Sequence, residues 1–100
     1  MSSNLKGLHA IVHGTVQGVS FRYYARLEAA RLGLTGWVRN LPDRTVETYA
    51  VGPRDRLESY HDWLQRGPSQ ADVSWVDATW SDTPEQTFET FEISYGTRDY

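Results

Sequence analysis

Two hydrophobic rhythms alternate along this chain, one of about two residues and one of about 3.6, and glycine or proline closes each stretch. The order of that alternation is the tightest constraint on what the chain can become. Leu8–Val12 is short, apolar and β-branched, and reads as a strand. It runs into Gly14-Thr15-Val16-Gln17-Gly18-Val19-Ser20, a loop that holds two glycines. From Phe21 to Leu32 the spacing turns helical: Phe21, Tyr24, Ala25, Ala29 and Leu32 share a face, and Arg22, Arg26 and Arg31 lie off it. Ser20 suits an N-cap and Gly33 the position just past the helix. Thr35–Asn40 alternates again, with Trp37 and Val38 on opposite faces. The turn Leu41-Pro42-Asp43-Arg44 is short enough to make Thr45–Val51 an antiparallel partner, with Val46, Thr48 and Ala50 on one face. Gly52-Pro53 opens a second helix, Pro suiting its first turn. Leu57, Tyr60, His61 and Leu64 mark one face, Trp63 lies beside them, and Gly67-Pro68 ends the helix. Val73–Trp80 reads as a fourth strand, and Phe91, Ile93 and Tyr95 alternate in a fifth. The tail from Gly96 to Tyr100 is expected to fray.

The order is βαββαβ with an extra pairing at one end. It predicts an α+β fold, a ferredoxin-like α/β sandwich with two helices on one face of an antiparallel sheet. Right-handed crossovers set the first and third strands side by side at the sheet centre. One hundred residues make one domain, with the core expected over about residues 8–95. A chain of this size buries roughly 65% of its unfolded surface, enough for one core. No apolar run approaches the roughly 18 residues of a membrane span. Met1 to Lys6 lacks the apolar stretch of a secretory signal. The chain has no cysteine, which removes disulfides, thiolate metal ligands and a cysteine nucleophile, and fits a cytoplasmic location. A net charge of −3 weighs against a general nucleic-acid binder.

Chemistry is concentrated at the first strand–loop–helix junction. A glycine-bearing loop meets a helix start there, where backbone N–H groups lack intrahelical partners and the helix dipole is positive. Such a junction is an anion site by construction. Arg22 stands in the first turn, the wrong end for a cation, so it signals either indifference or function. An arginine can clamp phosphate through two parallel hydrogen bonds. A plain turn beside a solvated arginine is the bland alternative. The segment is not a Walker loop, because three residues separate Gly14 from Gly18 and no Lys-Ser/Thr follows. It does not match the dinucleotide fingerprint either.

Val12-His13-Gly14-Thr15-Val16-Gln17-Gly18-Val19-Ser20-Phe21-Arg22 closely resembles the acylphosphatase signature V-x-G-x-V-Q-G-V-x-F-R. Gly33-Leu34-Thr35-Gly36-Trp37-Val38-Arg39-Asn40 resembles that family's second signature, G-x-x-G-x-V-x-N. Gly52 and Gly67-Pro68 also sit where small acylphosphatases have them, and the likeness runs from about Leu8 to Tyr95. The resemblance implies the same sandwich fold and hydrolysis of acyl phosphates to a carboxylate and inorganic phosphate. It implies that Arg22 binds the phosphoryl group and that the backbone of Thr15, Val16, Gln17, Gly18, Val19 and Ser20 cradles it. It implies that Asn40 orients the attacking water, and that no metal or organic cofactor is needed. Ser20 occupies a variable family position. Asp43-Arg44 stands where many relatives carry Asp-Gly, a change expected to alter the hairpin turn away from the site.

His9, His13 and His61 share no ligand spacing, so no metal site is expected. Arg39 alternates with Asn40 along its strand and is expected to point away from it. Trp75 and Trp80 have opposite strand parity, so at least one should face outward. The expected partners are a small acyl phosphate and product phosphate, not nucleic acid or membrane, and the expected state is a monomer. Two rivals remain at this point: a non-catalytic anion-sensing or interaction module on the same fold, and an RNA-binding sandwich. The pair Arg22 and Asn40 favours the enzyme over the first, and the acidic balance favours it over the second.

Overall fold

The computed structural model describes residues 4–95. It forms β1 (Leu5–Thr15), α1 (Phe21–Arg31), β2 (Thr35–Asn40), β3 (Val46–Pro53), α2 (Arg54–Arg66), β4 (Asp72–Ser81) and β5 (Phe91–Ser94). The sheet order is β4-β1-β3-β2-β5, which puts the first and third strands together at the centre. Pairs β1–β3, β1–β4 and β2–β3 are antiparallel. The edge strand departs from the antiparallel expectation, since β5 runs parallel to β2. Its reason is the route of residues 82–90. They leave β4 at one edge and join β2 at the other, and on the way Phe88 meets Tyr49 edge-on at 6.0 Å. The expectation of a frayed tail from Gly96 onward lies outside the described residues.

The sheet face toward the helices carries Leu8, Ala10, Val12, Val38, Val46, Thr48 and Ala50, all fully buried. Against them pack Phe21, Ala25 and Ala29 from α1 and Leu57, Tyr60 and Leu64 from α2. Each fully buried large apolar side chain is worth about 1.5–3 kcal/mol relative to exposure. Two polar groups enter this layer as a satisfied pair. Thr48 Oγ1 donates to the Trp37 carbonyl at 2.9 Å, so the Tyr60 hydroxyl, also at 2.9 Å, donates to Thr48. Burial pushes the Tyr60 phenol well above its ordinary pKa, so it stays a neutral donor.

Local differences from the sequence reading have plain causes. β1 exceeds Leu8–Val12 by three residues at each end, because β3 and β4 flank it and satisfy its backbone whatever the side chains. Pro53 is the N-cap of α2 rather than its first helical residue. Tyr24, assigned to the apolar stripe of α1, is 45% exposed because the stripe narrows to Phe21, Ala25 and Ala29. His61 is only half-buried and lies edge-on to Trp80. Gly33 ends α1 in the left-handed region, φ 73°, where a Cβ would be strained.

Candidate active site

One end of the sheet collects the residues singled out above. β1 ends there at Thr15, and its pairing with β4 shifts register between His13 and Gly14. Gly14 has φ 130°, and a Cβ on it would lie 2.2 Å from the Asp72 carbonyl. Only glycine therefore lets the strand turn into the loop so close to β4. β2, antiparallel to β3, ends at the same level: Val12 faces Val46, and Val46 faces Asn40. β5 follows β2 in parallel, with Ser94 beside Arg39, so Tyr95 comes next at the level of Asn40.

The loop's side chains anchor it and leave its backbone for binding. Val16 is 1% exposed and belongs to the core cluster. Gln17 is half-buried, and its Nε2 donates to the carbonyls of Leu41 at 2.9 Å and Thr45 at 2.8 Å. Those two bonds staple the loop to the β2–β3 turn. Thr15, Gly18 and Ser20 are exposed, and Val19 is half-buried. Among the described residues, no backbone N–H from Val16 to Ser20 donates to a protein acceptor. Ser20 occupies the N-cap position of α1, but with φ 61° and ψ 28° and no side-chain capping bond. The expected capping hydroxyl is thus replaced by a left-handed residue, and the helix start is left with free donors. No acidic residue sits in the first turn of α1 to neutralise its positive end.

Arg22 follows as the second residue of α1 and is half-buried. Its guanidinium carbon sits over the Tyr95 ring, 5.0 Å from the centroid. A cation over a ring is held by the ring's quadrupole without a hydrogen bond. Among the described residues Arg22 makes no hydrogen bond or ion pair, and neither does the Asn40 side chain. At this end of the sheet, then, stand five backbone amides, a guanidinium and a carboxamide with no hydrogen-bond partner among the described residues.

The Acylphosphatase family profile matches residues 8–93. The chain belongs to the acylphosphatase family. Acylphosphatase of Acaryochloris marina is 45% identical over 93 residues, covering 93% of this chain and 98% of its own. A solved acylphosphatase from Coxiella burnetii is 41% identical with TM-score 0.83, covering 91% of this chain and 94% of that one. One from Bacillus subtilis is 37% identical with TM-score 0.86, covering 90% of this chain and 99% of that one. These likenesses show the fold as the α+β sandwich expected for an acylphosphatase.

Residues outside the acylphosphatase signatures fall in place around this site. Arg39 turns to the opposite sheet face, where its guanidinium meets Glu47 at 2.7 Å. His9 donates to the same Glu47 at 2.6 Å. His13 stacks on Trp75 at 4.1 Å and reaches Asp77 at 3.0 Å. Trp75 is the outward member of its pair, 55% exposed, whereas Trp80 packs under Arg54 of α2. No three His, Asp or Glu among the described residues are grouped to hold a metal ion. No described helix is long and apolar enough to cross a membrane.

One expectation is corrected. The Asp43-Arg44 turn is not remote from the loop, for Arg44 lines a cleft of about 310 Å³ together with Gly14, Thr15, Val16, Gln17 and Gly18. The Gln17 staple brings the turn there. Neither Gln17's reach to the turn nor Tyr95's cover of Arg22 has a signature in local periodicity, since each joins segments far apart in the chain.

Proposed function

We propose that the loop backbone from Thr15 to Ser20, through the amides of Val16 to Ser20, and Arg22 hold the phosphoryl group of an acyl phosphate, and that Asn40 aims the attacking water. The activity itself, hydrolysis of the carboxyl–phosphate bond to a carboxylate and inorganic phosphate, follows from membership of the acylphosphatase family. The observation that carries the residue roles is the row of amides, unpaired among the described residues, that runs into a guanidinium with no hydrogen-bond partner among them. An acyl phosphate is a mixed anhydride with a good leaving group. Positioning and charge stabilisation supply most of what its hydrolysis requires. The water oxygen forms the new P–O bond, the bond to the acyl oxygen breaks, and the carboxylate departs with the electron pair. The water's proton passes to a phosphoryl oxygen, so no protein base is needed. A neutral carboxamide aims the water without titrating.

The chain acts as one acylphosphatase unit, a cytoplasmic monomer. Its substrate is a small molecule, and inorganic phosphate is its product ligand. The open sheet face supports this over RNA binding: Glu47 is paired with both His9 and Arg39, and residues 82–90 cover Tyr49. The direct test is phosphate release from benzoyl phosphate. Arg22→Ala and Arg22→Lys should each lose on the order of 100-fold in kcat/KM, because a point charge does not reproduce the fork. Near-normal turnover in Arg22→Lys would overturn bidentate clamping.

A further inference from the structure

Arg44 is the feature that the hydrolytic reading leaves unused. It adopts φ 77°, a left-handed conformation that favours glycine and is strained for any other residue. It is exposed, and among the described residues its side chain makes no hydrogen bond or ion pair. The neighbouring carboxylate does not answer it. Asp43 Oδ1 instead accepts from the backbone N–H of Thr45 at 3.1 Å and from Thr45 Oγ1 at 2.6 Å. The turn itself is fixed. Leu41 and Thr45 bond across it through N–H and carbonyl at 2.9 Å, and both carbonyls accept from Gln17. Arg44 is thereby held at the rim of the cleft that the glycine loop lines. That lining contains free backbone donors and one guanidinium, and no acidic side chain. The wall of the cleft is the first part of the loop, Gly14 to Gly18, and Arg22 is not part of that lining.

The loop is flanked on its other side by a groove of about 620 Å³ that includes Tyr24, Leu27, Trp63 and Pro68. The groove also holds the paired Glu28 and Arg31, whereas the cation of the smaller cleft, Arg44, has no ion-pair partner among the described residues.

We propose that Arg44 is a specificity-determining residue that receives an anionic group on the acyl half of the substrate. The preferred substrates are then acyl phosphates carrying a second carboxylate or phosphate. A phosphoryl group resting on the loop amides leaves the acyl part free to extend over Gly14–Gly18 toward the turn, where a second anion meets Arg44. The inference rests on the acyl-phosphate reading of the loop, and the experiment separates the two.

The test compares benzoyl phosphate with 4-carboxybenzoyl phosphate, a matched pair differing by one carboxylate. The readout is the ratio of their kcat/KM values in wild type, Arg44→Gly, Arg44→Gln and Arg44→Lys, with Arg22→Ala as the control for the loop. Glycine suits the left-handed backbone, so Arg44→Gly removes the charge without disturbing the turn. The ratio in favour of the carboxylated substrate should fall about fivefold in the Gly and Gln variants, the scale of one partly exposed ion pair. Arg44→Lys should keep most of it, and added salt should shrink it in wild type and Arg44→Lys but not in the Gly and Gln variants. If the ratio is the same in wild type and Arg44→Gly while benzoyl phosphate hydrolysis still depends on Arg22, the specificity role is overturned and the hydrolytic site stands. If benzoyl phosphate hydrolysis does not depend on Arg22, both fall.

Discussion

The Arg22 guanidinium lies over the Tyr95 ring and makes no hydrogen bond among the described residues, so the contact that holds the arginine does not use up its N–H donors. Asn40 is fixed by its backbone pairing to Val46, while its side chain is free among the described residues. Asn40→Ala should therefore lower kcat on the order of 100-fold and leave the inhibition constant of inorganic phosphate within about threefold. Steady-state kinetics with phosphate as product inhibitor reads both, and equal losses would move Asn40 into the phosphate-holding set. At Asp43, two bonds from Thr45 hold the carboxylate below its ordinary pKa. A lowered native value contributes stability above the unfolded pKa of about 3.9 and loses it as pH falls through the native value. Melting curves should show Asp43→Asn less stable than wild type near pH 7, with the gap closing below about pH 4; a gap that widens in acid would contradict the assignment. Arg22 stands out in the sequence as a cation in the first turn of a helix, and Asn40 only through the resemblance to the second acylphosphatase signature. The Gln17 staple and the place of Arg44 at the cleft have no such signal, because only tertiary structure brings the hairpin turn to the loop.

Among the elements, the entry to α1 is where local preference and structure part. A serine before an apolar helix predicts a hydroxyl cap, yet Ser20 is left-handed and caps nothing. The helix start it leaves uncapped adjoins loop amides that are unpaired among the described residues, the place where the proposed phosphate site would sit. Ser20→Gly should stabilise the fold by about 0.5–1 kcal/mol, measured by urea unfolding, because glycine adopts this conformation without a Cβ penalty. Destabilisation by that substitution would mean that the serine side chain makes a contact outside those seen here. Where burial sets a period, the sequence was a good guide. Thr35–Asn40 matches β2 at both ends, and the first helix differs by one residue. It was a poor guide at the ends of β1, where His13 and Thr15 look like loop but pair with β4, and at β5, whose direction depends on the path of residues 82–90.

At the scale of the molecule, strand directions do the assembling. β1, β2 and β5 all end at one end of the sheet, and α1 begins there. An acylphosphatase needs no second layer of machinery if that convergence supplies an anion site. The site should bind inorganic phosphate in the native state and not in the unfolded chain. At about 100 times its Kd, such a ligand adds about 2.7 kcal/mol, which for a domain of this size raises Tm by on the order of 10 °C. The decisive measurement is the melting temperature of wild type and Arg22→Ala across a phosphate titration, against chloride at matched ionic strength. The account predicts a saturable rise in wild type and none in Arg22→Ala. An equal rise in both, or no rise in wild type, would contradict it.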